Sequence, residues 1–140
     1  MVPGGSKIKS IADVDYPGAR VIAIAGTATS RTAARLLKNA TITQVKSVDE
    51  ALEMLRTGKA DAFALAHGAL TPLVQRVPGA RILDGSFYRT GSAIAIPKDR
   101  PNALSYATAF VEDAKASGLV QRAFDNYGLK SNKVAGPGER

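Results

Sequence analysis

The segment 20–30 reads Arg-Val-Ile-Ala-Ile-Ala-Gly-Thr-Ala-Thr-Ser and could bind an anion. Its apolar run ends at Gly26, a hydroxyl cluster of Thr27, Thr29 and Ser30 follows, and residues 31–38 have helix composition without an acidic residue. A strand, a tight turn and a helix start leave backbone N–H groups unpaired beside hydroxyls, which suits a carboxylate or phosphate. A simple N-cap at Thr29 or Ser30 is the alternative, and spacing alone favours it because caps are common.

The sequence offers little for catalysis. It has no cysteine and a single histidine, His67, so we predict no metal site. The sequence contains no nucleophile elbow and no Gly-Lys-Ser/Thr phosphate loop. After Gly26 it lacks the second and third glycines of a dinucleotide fingerprint, and no paired carboxylates accompany His67. We therefore predict no catalytic residues, no cofactor and no enzyme activity.

His67 follows the third predicted strand. Open α/β sheets place ligand crevices at the carboxyl ends of their strands, so His67 is a candidate ligand residue. A surface histidine without a role is the alternative, and the residue type alone slightly favours it.

Composition is that of an ordinary globular domain. The chain has 140 residues, of which 45% are hydrophobic and 22% charged, and this is enough for one domain with a core. The net charge of +7 raises nucleic acid as a partner, but the basic residues are scattered and aromatics make up only 6%. We predict no nucleic-acid partner, because no aromatic residues alternate with basic ones to stack bases. No apolar run is long enough for a membrane span, so we also predict no membrane insertion.

Strand and helix patterns alternate along the chain. Helix caps and breakers are clear at Ser47-Val-Asp-Glu50, a capping box, and at Gly58 and Gly118. Strands are predicted at 20–25, 41–46, 60–65, 81–84 and 92–97, and helices at 30–38, between 47 and 58, at 69–77, from 101 to 118 and at 119–127. The alternation predicts an α/β fold with a mostly parallel sheet and helices on both faces.

Several motifs resemble a known family. Ile11-Ala-Asp-Val and the run from Pro17 to Thr27 are similar to the "dL.G.kvgv..GT" start of the second lobe of extracellular solute-binding proteins of family 3. Three further segments are similar to later motifs of the same family, namely 47–62, 92–98 and 114–127. These proteins are the amino-acid-type receptors of ABC importers, with the type II periplasmic binding protein fold. The resemblance covers about residues 3–129.

The resemblance also implies a domain organisation. Residues 1–19 correspond to a hinge-derived segment, 20–91 to the second-lobe α/β domain, and 92–129 to a returning strand and C-terminal helices, with 130–140 as a flexible tail. The family's first lobe and signal peptide have no counterpart, which implies a truncated receptor. The family is periplasmic, whereas the chain as written would stay in the cytoplasm.

The family's second-lobe ligand contacts fall on the Gly26-Thr27-Ala28 turn, where a hydroxyl and amides hold the ligand carboxylate. The acidic residue that pairs with the ligand ammonium in the family falls on Ala66, beside His67. An alanine cannot hold an ammonium, so either the ligand is not an ordinary α-amino acid or binding is lost. The candidate ligand residues are thus Gly26, Thr27, Ala28, Thr29, Ser30 and His67.

The resemblance implies a small anion or amino-acid-like ligand and a transporter permease as partners. Some relatives of the fold are dehydratases, and others are effector domains of regulators, although no helix-turn-helix accompanies this one. A further alternative is an orphan domain that self-associates without binding a ligand. We expect a homodimer in either case, because the predicted strand 92–97 and the helices of 101–127 present apolar faces.

Overall fold

The computed structural model describes residues 1–89, 91–129 and 132–139. Its contacts divide the chain into two compact units, Met1–Arg89 and Thr90–Arg140. The first unit holds the sheet and the candidate site, and the second is helical.

The first unit is built on a parallel sheet of three strands in the order β2-β1-β3. The strands are β1 (Arg20–Ile24), β2 (Thr41–Val45) and β3 (Ala62–Ala64), and the helices of this unit are α1 (Ala28–Leu36), α2 (Val48–Arg56) and α3 (His67–Val74). A short 3-10 helix at Ala12–Val14 precedes them. The predicted parallel α/β fold is confirmed.

Alternating strand residues form two cores, one on each side of the sheet. Ile22 and Phe63 lie in a cluster with Leu52 and Leu55 of α2 and Leu70 of α3. On the other face, Val21, Ala23, Ala62 and Ala64 pack with Val2, Ile8, Val14 and Leu83. Because successive side chains of a strand point to opposite faces, burial on both faces requires the continuous apolar runs seen in the sequence.

An ion pair joins the amino ends of β1 and β3. The Arg20 side chain donates to both carboxylate oxygens of Asp61 at 2.7 and 3.0 Å, and the Arg20 backbone N–H donates to Asp61 Oδ2 at 2.8 Å. The Asp61 N–H donates in turn to the Arg20 carbonyl at 2.8 Å. The Arg20 side-chain hydrogen bonds hold the pKa of Asp61 below its ordinary value. The Asp61 carboxylate thus anchors the backbone at the start of β1.

The first residues of the chain contribute to the core rather than only leading into it. The Met1 amino group donates to the Phe63 carbonyl at 2.9 Å, and the Phe63 N–H donates to the Met1 carbonyl at 2.8 Å. Val2, which is fully buried, forms an antiparallel bridge with Arg81. Burial lowers the pKa of the Met1 amino group to about 6.

Two predicted strands are wrong. Of segment 81–84 only Arg81 pairs, in the single bridge with Val2. Residues 92–97 form no strand and are almost all exposed. A strand needs a neighbour that supplies hydrogen bonds, and within the described residues the ladders join only β1, β2 and β3.

Two helix starts also differ from the prediction. Helix α1 begins at Ala28, two residues earlier than expected. Helix α3 begins at His67 instead of residue 69, which places Pro72 inside the helix, beyond its first turn. Pro72 has no N–H to donate to the Gly68 carbonyl, so α3 lacks that internal hydrogen bond. Helix α2 begins with the predicted cap, in which Ser47 Oγ accepts the Glu50 N–H at 3.1 Å.

The second unit consists of α4 (Pro101–Ala116) and α5 (Leu119–Asn126), separated by Gly118 in the left-handed conformation. Of the predicted tail 130–140, residues 130, 131 and 140 lie outside the described residues. The rest has no helix or strand but contacts α4, where Lys115 Nζ donates to the Gly136 carbonyl at 3.1 Å and the Gly138 N–H donates to Glu112 at 3.1 Å. None of the helices in the described ranges is long and apolar enough to cross a membrane.

Candidate functional site

The topology brings the starts of α1 and α3 to one edge of the sheet. Strands β1 and β3 are parallel neighbours, with Ala23 opposite Ala64, so both end at the same edge. Each strand passes into its helix within a few residues, at Ala28 and at His67. The structure therefore places the predicted turn 26–30 and His67 at the carboxyl edge, where α/β sheets hold ligands.

Thr27 is the N-cap of α1. Its Oγ1 accepts the Ser30 N–H at 3.1 Å and donates to the Ile24 carbonyl at 2.8 Å. Gly26 has φ +75°, a left-handed conformation that favours glycine and lets the chain turn directly from strand to helix. The expectation of a cap at Thr29 or Ser30 is therefore wrong, because the turn is complete at Gly26 and the next hydroxyl already caps the helix.

Two backbone donors remain unused at this helix start. The Ser30 N–H is bonded to Thr27 Oγ1, and the Arg31 N–H to the Thr27 carbonyl at 3.2 Å. In the part of the chain that the structure describes, the N–H groups of Ala28 and Thr29 have no acceptor. Since the Thr27 hydroxyl proton is engaged by Ile24, these two amides are the donors that the helix start can offer to a ligand. The Gly26 N–H and the Thr29 hydroxyl of the same turn also have no partner among the described residues.

The hydroxyl of Ser30 is closed off from solvent. Ser30 is 1% exposed, and its Oγ has no hydrogen-bond partner among the described residues. In this conformation a ligand at the surface of the turn does not reach that oxygen. Contact between Ser30 and a ligand stays a prediction, as do the contacts from Gly26, Thr27, Ala28 and Thr29.

The start of α1 is electrostatically positive. Its first turn holds no acidic residue, and Arg31 Nη1 donates to the Gly26 carbonyl at 2.8 Å. Helix α2, which begins at the same edge of the sheet, carries Asp49 and Glu50 in its first turn. Because a helix N-terminus attracts negative charge, α2 satisfies that preference from its own sequence and α1 does not.

A surface recess of about 300 Å³ adjoins this helix start, and its walls include Ala28, Arg31, Thr32, Arg35 and Tyr88. Phe87 packs against the core, while Tyr88 is 39% exposed and lines the recess. The sequence does contain a signal for this recess. Arg31 and Arg35 are four residues apart, directly after the hydroxyl cluster, so they share one face of the helix.

His67 is the exposed first residue of α3, and its carbonyl accepts a hydrogen bond from Thr71 Oγ1 at 3.1 Å. Ala66, the preceding N-cap, provides no side-chain cap. The described ranges contain no group of three residues that could hold a metal ion. His67 lies at the same sheet edge as the α1 turn, and its ligand contact remains a prediction.

A second recess, of about 630 Å³, lies near the amino end of β3 and is lined by residues 3–8 together with Asp13, Tyr16 and Asp61. Its carboxylates are already engaged. Asp13 accepts the N–H groups of Lys9 and Ser10, and Asp61 is paired with Arg20.

Comparison with solved structures identifies the fold. An ancestral amino-acid-binding protein described as a precursor of cyclohexadienyl dehydratase is 23% identical, with a TM-score of 0.64 over 86% of this chain and 52% of that chain. An ancestral arginine-binding protein bound to glutamine is 21% identical, with a TM-score of 0.65 over 90% of this chain and 56% of that one. The substrate-binding protein of an amino acid ABC transporter is 23% identical, with a TM-score of 0.64 and the same coverage.

No protein-family model matches the chain, and none of the curated proteins does. The chain spans about half the length of the solved structures it matches. The resemblance to solute-binding proteins that the sequence motifs indicated is thereby confirmed at the level of the fold, which is that of part of an amino-acid-binding protein.

We expect Thr27→Ala to destabilise the domain by about 1 kcal/mol, because it removes the N-cap of α1. Thr29→Ala is the matched control, since Thr29 lies in the same turn and is not the cap. Its effect should stay within about 0.5 kcal/mol. Urea unfolding followed by circular dichroism measures both. Equal losses of stability in the two variants would contradict the assignment of the cap.

Proposed function

We propose that this chain is a ligand-binding part of a solute receptor for an ABC importer, and that it binds a small carboxylate or amino-acid-like anion at the turn 26–30. The observation that carries the proposal is the pair of unused N–H groups, of Ala28 and Thr29, at a helix start without an acidic residue. Two convergent amide donors at the positive end of a helix match the charge and geometry of a carboxylate.

The turn is built to keep these donors in place. Thr27 ties the turn to both the strand and the helix, so the Ala28 and Thr29 amides need no rearrangement to meet a ligand. Arg31 lies over the turn through its bond to the Gly26 carbonyl and adds positive charge. His67 at the start of α3 is a further contact in this proposal.

The solved structures with this fold support an amino-acid-like ligand, since those compared are described as amino-acid-binding proteins. One of them is a precursor of a dehydratase, so catalysis is the competing function. We favour binding because dehydration needs a positioned general acid, and the walls of the recess hold no carboxyl group or histidine. A transporter permease as partner and a periplasmic location belong to the same proposal.

Affinity for the isolated chain should be weak. The matched structures are about twice as long, and one helix start supplies contacts to only one side of a ligand. A site that stays open to water forfeits the stronger electrostatic interactions of a closed one. We expect a dissociation constant of about 1 mM, which corresponds to roughly 4 kcal/mol of binding free energy.

Titration with acetate, followed by amide chemical shifts, tests the site. We expect the largest shifts at the Ala28 and Thr29 amides, because these donors are unused in the free protein. The amides of Val48 and Asp49, which hold the same two positions at the start of α2, are an internal control, since α2 begins at the same sheet edge but carries its own acidic residues. Equal shifts at both helix starts, or shifts confined to other residues, would contradict the proposal.

Self-association without ligand binding is a second candidate function, and a homodimer is part of it. The supporting observation is an apolar arc on α4, where Tyr106 and Phe110, four residues apart on one face of the helix, are 76% and 52% exposed. Burying apolar surface contributes about 25 cal/mol per Å², so a second copy could cover this arc with a net gain.

Light scattering at protein concentrations between about 10 and 200 micromolar tests the dimer. This roughly twentyfold range brackets ordinary micromolar dimer affinities. We expect the mean mass to rise with concentration in the natural sequence, and to rise less in Phe110→Ser. Ala116→Ser is the control, because it makes a similar polar change outside the arc. A monomer mass throughout would contradict self-association.

A further inference from the structure

The recess beside α1 extends the proposed site toward a second negative group. We propose that the ligand is a small dicarboxylate, with one carboxylate on the Ala28 and Thr29 amides and the other among Arg31, Thr32, Arg35 and Tyr88. This inference rests on the proposed function and names the chemical class of the ligand.

The positive charges of two arginines favour an anion in the recess. Arg31 and Arg35 are four residues apart on α1, so they lie on one face of the helix and both line the recess. Like charges at this spacing destabilise a helix, and Arg31 also lies near the positive helix end. Neither arginine forms an ion pair with any described residue. An anion in the recess would relieve both unfavourable interactions.

A hydroxyl in the wall of the recess points to the same occupant. Thr32 lines the recess although it is only 7% exposed, and its hydroxyl has no hydrogen-bond partner among the residues described. Ser30 Oγ is the one buried side-chain oxygen without a partner among the described residues, so Thr32 Oγ1 is open to the recess, where a bound acidic group would accept its hydrogen bond. Tyr88, 39% exposed, offers a second hydroxyl from a distant part of the sequence.

The chemistry of the recess selects a carboxylate over an amine. Its polar side chains are two guanidinium groups and two hydroxyls, which donate hydrogen bonds, and its lining includes no carboxylate. Arginine binds carboxylates through paired N–H groups, whereas an ammonium would be repelled. The second group of the ligand is therefore acidic, and the ligand needs no ammonium for this part of the site.

The spacing suits a short chain between the two acidic groups. Ala28 contributes to both parts of the site, since its amide is unused and it also lines the recess. Thr32 lies one helical turn beyond it, a rise of about 6 Å. Glutarate, with three methylene groups between its carboxylates, is a probe of suitable length.

Titration with glutarate and with its monoamide tests the inference, because the two probes have the same length and differ in one carboxylate. We expect glutarate to bind about tenfold more tightly in low salt, the factor that corresponds to one additional charge-assisted interaction. Arg35→Gln should reduce this ratio to about twofold. Lys38→Gln is the matched control, since it removes one charge from the same segment outside the recess, and it should keep the ratio.

The outcomes separate this inference from the proposed function. If both probes shift the Ala28 and Thr29 amides with equal affinity, or if Arg35→Gln and Lys38→Gln lower the ratio equally, the dicarboxylate assignment is overturned while the carboxylate site remains. If neither probe shifts those amides, the proposed function fails, and the assignment of the ligand fails with it.

Discussion

The hydroxyl of Thr27 makes two hydrogen bonds, one to the carbonyl of Ile24 in β1 and one from the N–H of Ser30 in α1. These bonds join the end of the central strand to the start of the helix, and Gly26 supplies the positive φ that the turn requires. Two of the four N–H groups at the helix start are satisfied within the chain, and those of Ala28 and Thr29 are left to the outside. The candidate site is thus a consequence of how the strand ends.

The parallel sheet decides where this turn lies relative to the rest of the fold. The ion pair of Arg20 with Asp61 joins β1 to β3 at their amino ends, and continuous apolar strands fix both faces by burial. Since all three strands run the same way, every following helix starts at the opposite edge. Only α2 brings acidic residues to that edge in its first turn, so the starts of α1 and α3 remain positive.

Features that depend on local sequence could be predicted. The apolar runs of β1 and β3, the Ser47 cap of α2 and the breaks at Gly58 and Gly118 each depend on a few neighbouring residues, and the structure has all of them. The strand predicted at 92–97 failed because pairing needs a partner elsewhere in the chain, which an apolar alternation does not guarantee.

Only part of the candidate site could be predicted, because only part of it depends on neighbouring residues in the sequence. The hydroxyl cluster and the missing acidic residues pointed to the turn at 26–30, but they did not show which hydroxyl caps the helix. That choice depends on the conformation of Gly26 and on the Ile24 carbonyl. The recess was missed because Tyr88 reaches α1 through the fold and not through the sequence. Ser30 is likewise buried because α1 packs against β1, which its residue type does not reveal.

The central claim is that α1 lacks a negative charge at its start and takes one from a ligand. The most direct measurement compares Ala28→Glu with Ala28→Gln, which have the same size and differ in charge at an exposed position of the recess. We expect Ala28→Glu to be more stable than Ala28→Gln by about 0.3–1 kcal/mol and to lose carboxylate binding, because its own side chain satisfies the helix start. Equal carboxylate affinity in the two variants would contradict this role of the helix start.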